Sequence, residues 1–110
     1  MKTLKLAIAI IATLFTSAAM AWDGAPVGVP GNIDVTFGTS YGYRVFFSPA
    51  VTMCTGGSTW AYLNNSDSNY ATYVSVIQQA KALGTTVQVY SISVAAGSAT
   101  YCHIGYITAF

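Results

Sequence analysis

One stretch, residues 64–90, sets the terms for the rest of this chain. It runs Asn64-Asn65-Ser66-Asp67-Ser68-Asn69, then residues 70–83, then Gly84, then a β-branched segment from Thr85. Asn, Asp and Ser favour helix starts because a short side-chain oxygen accepts from an orphan backbone N–H. Asp67, Ser68 and Asn69 are therefore candidate caps, and Asp67 also suits the positive end of the helix dipole. Tyr73, Val76, Ile77, Ala80 and Leu83 then recur with the spacing of one buried helical face. Gly84 stands where a left-handed C-cap is wanted, and Lys81 lies in the last turn, where a cation complements the dipole. No other segment after residue 21 reads as a helix. A single helix of this length cannot bury its own face, so it requires a sheet to lie on.

The flanking segments supply one. Residues 22–31 are rich in Gly and Pro and read as an extended, turn-filled arm. Ile33, Val35 and Phe37 alternate with Asp34 and Thr36, a half-buried strand. Residues 38–42 make a turn. Tyr43, Val45 and Phe47 then alternate with Arg44 and Phe46, so the two segments form a hairpin. Residues 51–54 read as a short strand, 55–58 as a loop and 59–63 as a firm strand leading to the helix. Residues 85–94 and 101–110 are the last two strands. The order implies an α+β domain, mainly β: a small five-stranded OB-like barrel with one helix between the third and fourth main strands. A flat sheet carrying one helix is the competing architecture.

Residues 1–21 stand apart. Lys2 and Lys5 precede an apolar run over residues 6–15, and Ala19-Met20-Ala21 is a small-x-small cleavage site, the pattern of a secretory signal peptide. The run is too short to span a bilayer. Residues 22–110 then form one domain of an exported protein, extracellular or periplasmic. Cys54 and Cys102 are the two cysteines, and export favours a disulfide between them. Such a bridge is worth roughly 4 kcal/mol in the loop-entropy picture. It also requires the loop before the third firm strand to lie beside the last strand.

Asp23, Asp34, Arg44, Asp67 and Lys81 are the only charges after residue 21. There is no basic patch for a phosphate backbone and no basic amphipathic helix for a membrane surface, so nucleic acid and membrane are not expected partners. The three Asp lie in three separate segments, whereas glycoside hydrolysis needs two carboxyls at a set separation. One His and two bridged Cys do not make a zinc site. Asn65-x-Asp67-x-Asn69 echoes the start of a calcium loop but lacks its Gly and its acidic last position. His103 reads as a strand-surface or hydrogen-bonded residue, pointing away from Cys102. No enzymatic activity, metal or cofactor is expected.

The aromatic residues point towards binding. The chain carries 8 Tyr and 2 Trp, residues that stack on the apolar face of a sugar and hydrogen-bond through a polar edge. Tyr41, Tyr43, Trp60, Tyr62, Tyr101 and Tyr106 occupy strand or turn positions, and half of such a set would ordinarily be core. Arg44 alternates out of phase with Tyr43, so it faces outwards. There it can grip a carboxylate such as that of a sialic acid, or pair with Asp34 across the hairpin. Tyr41, Tyr43, Arg44 and Trp60 are the candidate ligand-binding residues. A small secreted structural or protein-interaction domain of the same fold, with no sugar site, is the alternative.

The opening Trp22-Asp23-Gly24, the Tyr41-Gly42-Tyr43-Arg44-Val45 strand, Cys54, the helix ending in Gln79-Ala80-Lys81-Ala82-Leu83-Gly84 and the final Tyr101-Cys102-His103-Ile104-Gly105-Tyr106 strand form a pattern. It resembles the B subunits related to subtilase cytotoxin B and the pertussis-like toxins of bacteria. The resemblance implies an OB-like fold, a homo-oligomer in the form of a pentamer, a toxin A chain as partner, and binding of cell-surface sialylated glycans. Residues 25–31 carry Pro, Gly and Val where those toxins have a Ser in a Tyr-rich segment, so no glycan-contact residue is carried over.

Overall fold

Alternation along the strands decides which side chains fill the interior. The computed structural model describes residues 21–110. Of residues 1–21, expected to be a signal peptide, 1–20 lie outside the described residues. The elements follow in the order β1 (Val27–Val35), β2 (Tyr43–Ser48), β3 (Trp60–Leu63), α1 (Tyr70–Leu83), β4 (Val87–Ala96) and β5 (Ala99–Ala109). The strands close into a ring in the spatial order β1-β2-β3-β5-β4. Every neighbouring pair is antiparallel except β3 and β5, which run parallel with Ala61 opposite Cys102. This is the mainly-β, OB-like arrangement expected of the sequence, with its helix between β3 and β4.

Tyr43, Val45 and Phe47 of β2, Ala61 and Leu63 of β3 and Val87 and Val89 of β4 point inwards and are buried. Ile77 and Ala80 of α1 close the same cluster, and Tyr70, Tyr73 and Val74 pack against it. Tyr73, Ile77 and Ala80 of the expected face are thus on it, and Tyr70 and Val74 join them from the first two turns. Leu83, expected on that face, is 67% exposed. The helix spans the expected residues, and Gly84 ends it in the left-handed region at φ 66. Gly84 N–H donates to the Lys81 carbonyl and Thr85 N–H to the Ala80 carbonyl, which satisfies otherwise orphan groups.

The helix start differs from expectation. Asn69 is the N-cap, but it adopts a left-handed backbone at φ 63 and makes no side-chain cap bond. Asp67 does not cap the helix. Its carboxylate accepts from Asn64 N–H and from His103, which braces the loop before the helix onto β5.

Three further expectations need correction. β1 begins within the Gly- and Pro-rich arm, at Val27. Its pairing with β2 shifts register between Pro30 and Ile33 and is regular from there to Val35; Ile33 packs on the core, while Val35 and Phe37 lie beyond it towards the hairpin tip and are exposed. Phe37 is fully exposed, at 104%. Residues 51–54 form no strand. Met53 and Cys54 are buried as loop, because the Met53 carbonyl is taken by the Ser91 hydroxyl (2.7 Å) rather than by a ladder.

The disulfide is present, joining Cys54 to Cys102 with their Cα atoms 5.7 Å apart. It ties the β2–β3 loop to β5, the adjacency the cysteine pair demanded.

Candidate functional site

The outward residues of β2, β3 and β5 gather most of the aromatic load onto one face. Trp60 and Tyr62 stand on β3 on either side of buried Ala61, and Tyr101 and His103 stand on β5 on either side of buried Cys102. The parallel β3–β5 pairing puts Tyr62 level with His103. Their rings stack at 4.8 Å with an interplanar angle of 2°. Trp60 meets Tyr101 at 4.8 Å, and Tyr41 meets Tyr62 and Tyr101 edge-on at 4.7 and 5.0 Å. Tyr62 is covered by these rings so fully that it is 2% exposed although it faces away from the core.

Tyr41 reaches the cluster from the β1–β2 turn through an unusual backbone. Its φ is 57, a left-handed conformation that is uncommon for a non-glycine residue and costs about 1–3 kcal/mol where it persists. Three contacts hold it there. Its N–H donates to Asn64 Oδ1 (2.8 Å), and its carbonyl accepts from Arg44 Nε (3.0 Å) and Thr36 Oγ1 (3.5 Å). Strain maintained by surrounding contacts is a feature of functional sites more often than of inert turns.

Arg44 lies with its guanidinium carbon 4.4 Å from the centre of the Trp60 ring, within cation–π range. The alternative pairing with Asp34 is not formed: the two are opposite in register, yet the guanidinium turns to Trp60 and to the Tyr41 carbonyl. With Nε so engaged, the remaining guanidinium N–H groups make no hydrogen bond among the described residues. Of the four expected ligand residues, Tyr41, Arg44 and Trp60 come together. Tyr43 does not: alternation along β2 turns it into the barrel, where it is 2% exposed and meets Tyr70 of α1 at 6.3 Å.

His103 Nε2 lies 2.7 Å from Asp67 Oδ2. An ionised carboxylate only accepts, so the imidazole donates. Burial, then Tyr41 and Asp67, pushes the Tyr62 phenol from its ordinary 10.0 up to about 12. At neutral pH it is an O–H group and not a phenolate. Burial, then Tyr70, pushes Tyr43 up to about 12 as well.

These two phenols make a pH prediction. Below pH 10 both are protonated whether the chain is folded or unfolded, so their contribution is fully present. Between about 10 and 12 the unfolded chain loses protons that the folded chain keeps, so stability must fall as pH rises. Melting temperatures followed across that window should drop, and Tyr62→Phe should flatten the drop. The Tyr43 hydroxyl is buried with no hydrogen-bond partner among the described residues. Tyr43→Phe should therefore leave neutral-pH stability unchanged or raised by about 1 kcal/mol, since an unpaired buried hydroxyl is costly.

A groove lined by Ile33, Gln78, Lys81 and Ala82 lies between α1 and β1, remote from these rings. It is almost wholly apolar, and its lysine is tied to the Gly31 carbonyl. It lacks the convergent polar groups of a ligand site, whereas the aromatic face combines a cation, ring surfaces and hydroxyls.

No protein-family model, no characterised protein and no solved structure matches this chain.

Proposed function

We propose that this chain is a secreted, non-enzymatic glycan-binding subunit whose seat is the outer face of β2, β3 and β5. The observation that carries this reading is the Arg44 guanidinium stacked 4.4 Å over Trp60 beside the Tyr41, Tyr62 and Tyr101 rings. Such a surface offers stacking area for pyranose faces and a planar cation for a carboxylate. An acidic, sialic-acid-like terminal sugar suits that pair. The constrained backbone of Tyr41 supports it, because it fixes one wall of the seat in advance of binding. The closed disulfide supports an oxidising, extracellular or periplasmic setting. Asp23, Asp34 and Asp67 stand in separate parts of the fold, which supports holding rather than hydrolysis.

A glycan array probed with the oxidised protein tests this. A subset of glycans, acidic ones among them, should be retained. Trp60→Ala and Arg44→Ala should each weaken retention tenfold or more, and Tyr41→Ala should weaken it too. If no glycan is retained, the second reading takes over: a protein-interaction domain of the same fold. The exposed Val35 and Phe37 at the hairpin tip favour that reading, since exposed apolar side chains mark contact surfaces when they cluster.

The toxin-subunit resemblance supports a homo-oligomeric ring, a pentamer, with a toxin A chain as partner. Light scattering on the purified protein checks the ring; a clean monomer at micromolar concentration removes that part of the reading.

A further inference from the structure

The outer surface carries a second aromatic ledge, further along β5 and on its neighbour β4. Tyr90 of β4 and Tyr106 of β5 are opposite in register and meet edge-on at 5.2 Å. Trp22 meets Tyr90 at 5.8 Å. The ledge is built by a bulge. Tyr90 pairs with Tyr106 but Ser91 pairs with Ile104, so Gly105 is the extra residue of β5. Bulges re-aim side chains, and here Gly105 leaves bare backbone on which the indole rests. A Cβ at Gly105 would stand 2.6 and 2.8 Å from Trp22 ring carbons. Tyr90 is oriented in turn: its hydroxyl donates to Gln88 Oε1, and Gln88 Nε2 donates to the Ala25 carbonyl, both at 3.0 Å. Tyr106 is left 54% exposed at the open edge.

Tyr101 and Tyr106 lie on one face of one strand, about 13 Å apart at roughly 3.3 Å per residue over the steps not absorbed by the bulge. Between them stands His103, level with exposed Ile92 of β4. The cation of this face stands at one end only. Arg44 lies on Trp60 beside Tyr101, and the second ledge, Trp22, Tyr90 and Tyr106, is neutral.

Resting on the glycan-binding reading above, we infer that the face takes an extended, linear acidic oligosaccharide in one direction, with its carboxylated terminal sugar on Arg44 and Trp60 and its neutral inner sugars on Tyr106 and Trp22. One sugar ring cannot touch both ledges. Arg44 attracts the carboxylate to its own end, and the neutral second ledge offers it no cation, so the reverse direction is disfavoured.

The chain has 2 Trp, one at each ledge, and this gives the test. Calorimetric titrations and tryptophan emission are measured with the methyl glycoside of sialic acid and with a linear tetrasaccharide ending in the same acid. The tetrasaccharide should bind at least tenfold more tightly than the monosaccharide. Tyr106→Ala should bring it down to monosaccharide affinity, and Tyr106→Phe should keep most of the advantage. In the Trp60→Phe protein, where Trp22 is the only tryptophan, tryptophan emission should shift with the tetrasaccharide and not with the monosaccharide. Equal affinities for the two ligands, or a silent Trp22 while calorimetry registers tetrasaccharide binding, would overturn the inference and leave the first seat standing. Failure of both sugars to bind the wild-type protein would instead remove the glycan reading itself, and this extension with it.

Discussion

Replacing Cys54 and Cys102 together by alanine is expected to lower the unfolding free energy by about 4 kcal/mol. The bridge spans a sequence separation of 48, and removing a cross-link of that length restores about 4 kcal/mol of entropy to the unfolded chain. Small domains have only about 5–15 kcal/mol in total, so the variant should sit near the edge of folding at physiological temperature. The loop that holds Cys54 makes the loss hard to recover, because residues 49–59 belong to no strand. The expected result is a lower urea midpoint together with a steeper slope, since the unlinked chain exposes more surface on unfolding. Reduction of the wild-type protein should produce the same shift. Gly57 provides a cross-check. A Cβ there would overlap the Cys102 sulfur and lie 2.5 Å from the Cys54 sulfur. Gly57→Ala should thus be costly in the oxidised protein and nearly neutral in the cysteine-free one, a coupling that a double-mutant cycle reads directly. A midpoint shift equivalent to less than about 1 kcal/mol would mean that the strands, not the sulfurs, hold this loop.

How much of this fold was legible in the sequence depended on how local each signal was. The helix over residues 70–83 and its glycine stop needed only neighbours in sequence, and both are found. The cap falls on Asn69 rather than Asp67 for a tertiary reason. Asp67 had two uses open to it, and the contact with His103, a residue of another strand, decided between them. Leu83 followed the apolar spacing but lies in the last turn, past the residues that pack on the sheet. Alternation correctly turned Tyr43, Val45 and Phe47 inwards along β2. Along β1 the phase held from Ile33 to Val35, but a period-two pattern does not say where the core ends, and Val35 and Phe37 run past it into solvent.

The candidate face was half legible. Arg44 could be placed outwards from its phase along β2, and Tyr41 from its turn, but nothing near Trp60 says what stands beside it. Tyr62, Tyr101 and His103 join it only because β3 and β5 run side by side. One signal did contain that adjacency. If Cys54 must touch Cys102, the strand that follows Cys54 is brought against the strand that contains Cys102. The alternate residues of each then form two facing rows, Trp60 and Tyr62 against Tyr101 and His103. The same alternation would have removed Tyr43 from the list of ligand contacts, because one strand cannot present both Tyr43 and Arg44 to the same surface. The Trp22 ledge had no such signal: it depends on a bulge at Gly105.

The N-terminal arm should prove as necessary as the sulfurs, and Gly24→Ala is expected to cost about 3 kcal/mol, at the upper end of overpacking effects. Gly24 is bridged to Ser91 of β4, with Ser91 N–H donating to the Gly24 carbonyl (2.9 Å) and Gly24 N–H donating back (3.1 Å). A Cβ on Gly24 would overlap the Met53 carbonyl oxygen and come within 2.7 Å of Cys54 Cα. Both obstacles are backbone. Neither can swing aside as a side chain would, and the Met53 carbonyl is further held by the buried Ser91 hydroxyl. The arm must then lift, which breaks the Asp23 contacts to Ser91, Ser93 and Thr55 and takes Trp22 off Gly105. The loss should appear twice: as a lower melting temperature and as a red-shifted tryptophan emission, read in the Trp60→Phe background so that Trp22 alone reports. Because Tyr41, Arg44 and Trp60 stand on other elements, binding at the first ledge should survive in whatever fraction stays folded. An unchanged melting temperature in Gly24→Ala would show that the arm can leave β4 without cost, and that the barrel closes without it.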